Sequence, residues 1–258
     1  MFFKLKSYLS FLLKSFNQKN LNSSFILRLK THCFNIKTST KKFKIFTNYK
    51  GQLLSNKTTI KITDFGAGST IFSSDERQVS KIARIAGISN KRAKLLIRLV
   101  TYFQPTEILE IGTSLGLASS ALAAKNIKTN ITTLEGCPET AKVAQQQFAK
   151  FGFSNITLKV GNFTKTLPKV IENKQFDFIY FDGNHQKKAT LSYFETCLKS
   201  ASKNAIFIFD DIYWSKEMLE AWEQIKMHPE VSCTVDTFQW GLIFFNQEKV
   251  KKHYTIRI

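Results

Sequence analysis

Four side chains at the ends of two apolar runs have the types needed to move a proton or to hold a cation. Asp182 and His185 lie in Phe181-Asp182-Gly183-Asn184-His185, and Asp210 and Asp211 lie in Phe209-Asp210-Asp211-Ile212-Tyr213-Trp214. A carboxylate beside an imidazole can accept the proton of a hydroxyl, which makes Asp182, His185 and Asp211 the candidate catalytic groups. If the two runs are neighbouring parallel strands, about 4.8 Å apart, Asp182 can meet Asp210 or Asp211 around one hard cation. Oxygen ligands of this kind suit Mg²⁺, which would orient a hydroxyl and lower its pKa. Plainer roles compete: one aspartate can cap the helix expected near Ser215, and His185 can be a satisfied helix-start histidine. Trp214 is read as a packing residue or as the wall of an acceptor pocket.

Three earlier strand ends carry a different chemistry. The run Glu110-Ile111-Gly112-Thr113-Ser114-Leu115-Gly116 precedes a helix of small residues beginning near Ala118. Gly112 and Gly116 would let a ligand approach the backbone, and the helix start would offer amide groups to a carboxylate. The spacing is not GxGxxG, which weighs against a nicotinamide dinucleotide. Glu135 ends the next strand and can accept two ribose hydroxyls, with Gly136 following it. In Gly161-Asn162-Phe163 the amide can reach an adenine amino group and the ring can cover its face. In this order the three ends form a nucleoside-binding pattern.

These positions need a scaffold. Beyond Pro105, strand-like runs at Glu107–Ile111, Ile131–Glu135, Ile156–Val160, Phe176–Phe181 and Ala205–Phe209 alternate with helical segments, which predicts a parallel sheet with helices on both faces. The runs Val231–Phe238 and Leu242–Asn246 are separated by Gln239-Trp240-Gly241, too short for a crossover, and should form an antiparallel hairpin.

With Glu110-x-Gly112-x-x-x-Gly116, Glu135 and the final hairpin in place, residues 105–246 resemble a class I S-adenosylmethionine-dependent methyltransferase. The resemblance implies an α/β fold with a Rossmann-like, seven-stranded, mostly parallel sheet, preceded here by an N-terminal helical extension. It also implies that Glu110, Gly112, Thr113, Ser114 and Gly116 line the methionine end of the donor, and that Glu135 and Gly136 lie at the ribose. Gly161, Asn162 and Phe163 would lie at the adenine and Asp182 on the donor side. Asn162 stands where many members carry Asp. The acidic cluster is similar to that of metal-assisted small-molecule O-methyltransferases, whose third ligand is often Asn where this chain has Asp; Asp182, Asp210 and Asp211 would be the ligands.

The chain has 258 residues, 43% hydrophobic and 22% charged, and its 24 phenylalanines exclude a disordered polymer. Residues 1–63 hold thirteen Lys or Arg and no acid, whereas the remainder carries only six excess positive charges. Such a leader can attract nucleic acid, anionic lipid or an acidic partner. Its first residues, 2–16, predict an amphipathic helix docked on the main domain, lying on a membrane surface or binding a partner. The expected divisions are a basic extension (1–63), a helical connecting or lid segment (64–104) and the catalytic domain (105–258). Within Thr59–Ser69, the turn Asp64–Ser69 is read as packing the leader or as a substrate-side loop. The four dispersed cysteines read as reduced thiols, and no apolar run is long enough to span a bilayer. A cytoplasmic protein, with peripheral membrane contact through residues 2–16 as an option, is the expectation. The leading function is methyl transfer to a small-molecule hydroxyl. An RNA methyltransferase is the rival, although no Asn-Pro-Pro-Tyr-like segment follows the fourth strand. A noncatalytic donor-binding interaction protein is the third reading.

Overall fold

The computed structural model describes residues 2–17, 23–63, 65, 74–124, 128–248 and 250–258. The leader forms α1 (Phe2–Asn17), α2 (Ser24–Leu29), which runs into a π-helical turn at Lys30–Phe34, and α3 (Thr40–Ser55). A two-stranded antiparallel sheet follows, β1 (Thr59–Lys61) with β2 (Glu76–Gln78), then α4 (Val79–Ile85) and α5 (Asn90–Phe103). Gln104 closes α5 in the left-handed region at φ 51°, immediately before Pro105, which cannot continue the helix.

The remaining elements are β3 (Glu107–Ile111), α6 (Leu117–Ala123), β4 (Asn130–Glu135), α7 (Pro138–Lys150), β5 (Ile156–Val160), α8 (Phe163–Ile171) and β6 (Phe176–Phe181). They continue with α9 (Lys187–Leu198), β7 (Ala201–Asp210), α10 (Lys216–Met227), β8 (Cys233–Asp236), β9 (Trp240–Phe244) and β10 (Lys252–Thr255). The strand order is β10-β8-β9-β7-β6-β3-β4-β5, with β9 antiparallel to both its neighbours. The expected hairpin is thus present. The sheet has eight strands rather than seven because the C-terminal residues add β10 in parallel register to β8.

Alternation along the strands divides the core. Ile108, Phe178, Tyr180, Ile206 and Ile208 face a cluster shared with α2, α3, α5 and α6, while Leu109, Ile111, Ile179, Phe181, Phe207 and Phe209 face α9 and α10. Phe25, Ile26, Phe46, Tyr49 and Leu53 of the leader are buried in the first cluster, so one apolar core runs across both positions at which the sequence suggests divisions. The first helix of the connecting segment starts at Val79, after Glu76–Gln78 have paired with β1. Apart from Phe65, the Asp64–Ser69 turn lies outside the described residues.

Candidate active site

The sheet order reverses about β3: the chain proceeds outward through β4 and β5, then returns to the other side of β3 with β6. Such a switch point opens a crevice at the strand ends. Here the two sides are clamped together. The Asp182 amide donates to the Ile111 carbonyl at 2.8 Å, and Gly112 has φ 108°. A Cβ at Gly112 would lie 2.1 Å from the Asp182 carbonyl oxygen, so only glycine permits this approach.

The loop after β3 is folded around Glu135. One carboxylate oxygen accepts from the Ser114 amide at 2.6 Å and the other from the Cys137 amide at 2.9 Å. Burial raises the Glu135 pKa, and these amides partly offset that rise. Gly112, Ser114, Glu135, Gly136, Asn162, Phe163 and Asp182 line one cavity of about 240 Å³. Asn162 caps α8, its side-chain oxygen accepting from the Thr164 amide at 2.9 Å and from the Thr164 hydroxyl at 2.7 Å. The Phe163 ring meets Tyr193 edge-on at 5.9 Å. Gly161, at φ 141°, supplies the turn that delivers these two residues.

Three residues of the loop pattern sit beneath the cavity rather than on its wall. Glu110 is fully buried on the side facing α6, where it accepts from the Ser119 and Thr133 hydroxyls. Burial pushes its pKa up to about 8 despite those hydrogen bonds. Thr113 shares a 2.5 Å hydrogen bond with Thr133. Gly116 makes room for protein: a Cβ there would be 2.5 Å from both the Tyr49 hydroxyl and the Phe148 ring.

Several wall residues were not singled out from sequence. Ile62, Thr63, Phe65 and Arg77 bring the leader's small sheet over the cavity, and Asn184 and Tyr193 complete its floor. Cys137 ties this cover down, since its sulfur accepts from the Thr63 amide at 3.3 Å and lies 3.7 Å from the Lys61 carbonyl. The glycine-containing run Thr59–Ser69 was the available signal, but its partner across the cavity is set by tertiary packing.

Asp182 and His185 are adjacent, with Nε2 3.6 Å from Oδ1. Asn184 and His185 both have positive φ, 67° and 24°, which turns the imidazole back toward the strand end. Burial and the nearby Asp210 charge raise the Asp182 pKa, while His185 opposes the rise. For His185, burial alone would lower the pKa; the Asp182 carboxylate outweighs it and the net direction is up. Trp214 lies 6.3 Å from the His185 ring, and Lys4 of α1 sits 3.8 Å above Trp214.

The expected cation site at Asp182, Asp210 and Asp211 is not formed. Among the described residues no group of three His, Cys, Asp or Glu side chains could hold a metal ion. The reason is Arg92, which approaches from α5. Its Nη1 donates to both Asp210 oxygens at 2.8 and 2.9 Å, and Nη2 lies 3.5 Å from Asp211. Asp210 also accepts from the Tyr180 hydroxyl at 2.6 Å and from the Asp211 amide at 2.7 Å. A guanidinium already supplies the positive charge, and the Asp210 lone pairs are committed, so these residues do not fit Mg²⁺.

Residues 109–212 match the family model described as a methyltransferase domain. No curated protein sequence matches the chain. Among solved structures, the chain is similar to the SAH-bound methyltransferase PaMTH1 of Podospora anserina, with a TM-score of 0.61, 18% identity and coverage of 88% of this chain and 97% of that one. The O-methyltransferase TomG of Streptomyces achromogenes, in complex with SAM, gives 0.56 at 17% identity, covering 86% and 96%. An O-methyltransferase from Bacillus cereus in complex with SAH gives 0.54 at 19%, covering 86% and 96%. At these identities the structural likeness is one of fold. Residues 109–212 thus match a methyltransferase domain, and the strand order and the crevice at the strand ends agree with the fold of the SAM- and SAH-bound methyltransferases it resembles.

Proposed function

We propose that the chain transfers the methyl group of S-adenosylmethionine to an oxygen of a small-molecule acceptor, with the donor in the cavity at the ends of β3, β4 and β5 and no metal at Asp210. The observation that carries this reading is the shared wall: Asp182 lines the donor cavity and is at the same time the partner of His185. A proton acceptor is therefore built in where the methyl group would be presented. The structural neighbours named as O-methyltransferases favour oxygen as the acceptor atom.

The donor supplies an electrophilic methyl group on a sulfonium; the residues supply placement and proton transfer. Glu135 has lone pairs left for ribose hydroxyls after accepting two amides, and Phe163 with Tyr193 offers an aromatic wall for a base. Gly112 lines the cavity where the donor's amino-acid end would lie, held against the Asp182 backbone. Ile62 and Phe65 cover the cavity with apolar surface and exclude water. His185, its basicity raised by Asp182, takes the acceptor proton. Arg92 holds Asp210 and, through it, Tyr180, so Asp182 is the carboxylate presented to the cavity.

Calorimetric titration tests the donor assignment: S-adenosylmethionine and S-adenosylhomocysteine bind, and Glu135→Ala weakens both by roughly tenfold or more, as expected for two lost hydrogen bonds to a carboxylate. Binding of a nicotinamide dinucleotide in their place would sink the reading. Mass spectrometry of products from a panel of hydroxylated small molecules tests the acceptor; modification of RNA alone, lost at high salt, would transfer the assignment to the rival class.

A further inference from the structure

Helix α1 presents two apolar faces, and the fold uses one of them. On the inner side Phe11 is 2% exposed and packs against the Phe238 ring at 5.5 Å and a tilt of 54°, Tyr8 meets the same ring edge-on at 4.9 Å, and Lys4 covers Trp214. On the outer side Phe2 is 89% exposed, Leu13 69%, Leu5 59% and Leu9 54%. At 3.6 residues per turn these four project within an arc of about 80°, so they form one continuous stripe. Docking α1 on the domain does not account for that stripe, because the docked contacts come from the opposite side.

We propose that the outer face of α1 seats the protein on an anionic lipid surface. The occupant follows from charge. Lys6 flanks the stripe, about 20° beyond Leu13 in the same projection, and the leader as a whole carries thirteen basic residues and no acid. A second copy of the chain would bring two such basic segments together with nothing in either leader to neutralise them, which disfavours self-pairing. A bilayer of acidic lipids offers an apolar layer for Phe2, Leu5, Leu9 and Leu13 directly beneath a layer of negative headgroups for the lysines. No helix among the described residues is long and apolar enough to cross a membrane, so the contact is one of lying on the surface. Since the inner face rests on Trp214 and Phe238, the same contact turns the acceptor side of the domain toward the lipid. The inference goes beyond the proposed chemistry and does not depend on it.

Flotation of the full chain with vesicles tests it. The protein should rise with mixed phosphatidylcholine and phosphatidylserine vesicles, stay down with pure phosphatidylcholine, and be partly released by high salt. Leu9→Glu should lower partitioning by at least about tenfold, as expected for one leucine withheld from the apolar layer, and Lys6→Glu should reduce it in serine-lipid vesicles. Both positions are outside the core, so unchanged circular-dichroism melts and unchanged S-adenosylmethionine affinity would show that the fold and the donor site are intact. Wild-type protein that stays down with both vesicles overturns the proposal. So does a Leu9→Glu variant that floats like wild type, or a lipid-free dimer in light scattering that Leu9→Glu converts to monomer, since the stripe would then be covered by a second copy.

Discussion

Arg92→Met removes the guanidinium and keeps most of the side-chain length. In the native fold Asp210 is 2% exposed and takes two hydrogen bonds from Arg92, with the Tyr180 hydroxyl and the Asp211 amide as its other donors. Without Arg92 a buried carboxylate stands near Asp182 with no cation against it. Removing one partner of a buried ion pair costs about 3–5 kcal/mol, more than the pair itself is worth, because the remaining charge is uncompensated. In a chain of this size each kcal/mol lowers Tm by about 2–4 °C, so the variant should melt roughly 6–20 °C below wild type. Arg92→Met with Asp210→Asn should recover most of the loss, since an amide needs no counter-charge and can still accept from Tyr180. Thermal melts of the two single variants and the double variant, with and without Mg²⁺, are the assay. The reasoning fails if Arg92→Met melts within about 1 °C of wild type, or if Mg²⁺ raises the wild-type Tm in a manner that Asp210→Asn abolishes, because Asp210 would then be a metal ligand.

Gly112→Ala should cost about 2–3 kcal/mol in urea unfolding and weaken donor binding in calorimetry, because its Cβ must be placed 2.1 Å from the Asp182 carbonyl at φ 108°. Glu110 has a folded-state pKa raised to about 8 from 4.5, so its contribution to stability is complete at low pH and is lost as pH rises through about 8. Urea midpoints should therefore fall between about pH 5 and pH 9 in wild type and fall less in Glu110→Gln. His185, raised above its usual value of 6.5 by Asp182, loses its capacity as a base as pH drops through that raised pKa. The pH profile of kcat/KM should accordingly rise with pH, and Asp182→Asn should move its midpoint downward while lowering kcat; an unmoved midpoint would remove His185 from the proton path.

The strand-end crevice was legible in the sequence because its parts are local. Gly112, Glu135 and Asn162 each sit at the end of a strand whose apolar pattern is plain, and strand ends at a switch point define one crevice. Glu110 shows the limit of that reading. Its position in the loop pattern is clear, but the period-2 alternation that sends Leu109 and Ile111 to one face sends Glu110 to the other, against α6. The acidic cluster was misread for a different reason. Its composition suits a cation, and the side chain that supplies the positive charge lies 118 positions earlier, on a helix whose docking only tertiary structure reveals. Likewise β10 is a four-residue strand with no hairpin turn to announce it, and it forms because β8 leaves an open edge.

Tyr49 donates to the Leu115 carbonyl at 2.9 Å and fills the space that a side chain at position 116 would need. Leader and strand-end loop are thereby tied to one another in space, and the fit demands that the two positions change together. Among natural homologues with this arrangement, a tyrosine at position 49 should accompany glycine at 116, and lineages that shorten the aromatic residue should be the ones that admit alanine or serine there, a paired inheritance that sequence comparison across many genomes would expose.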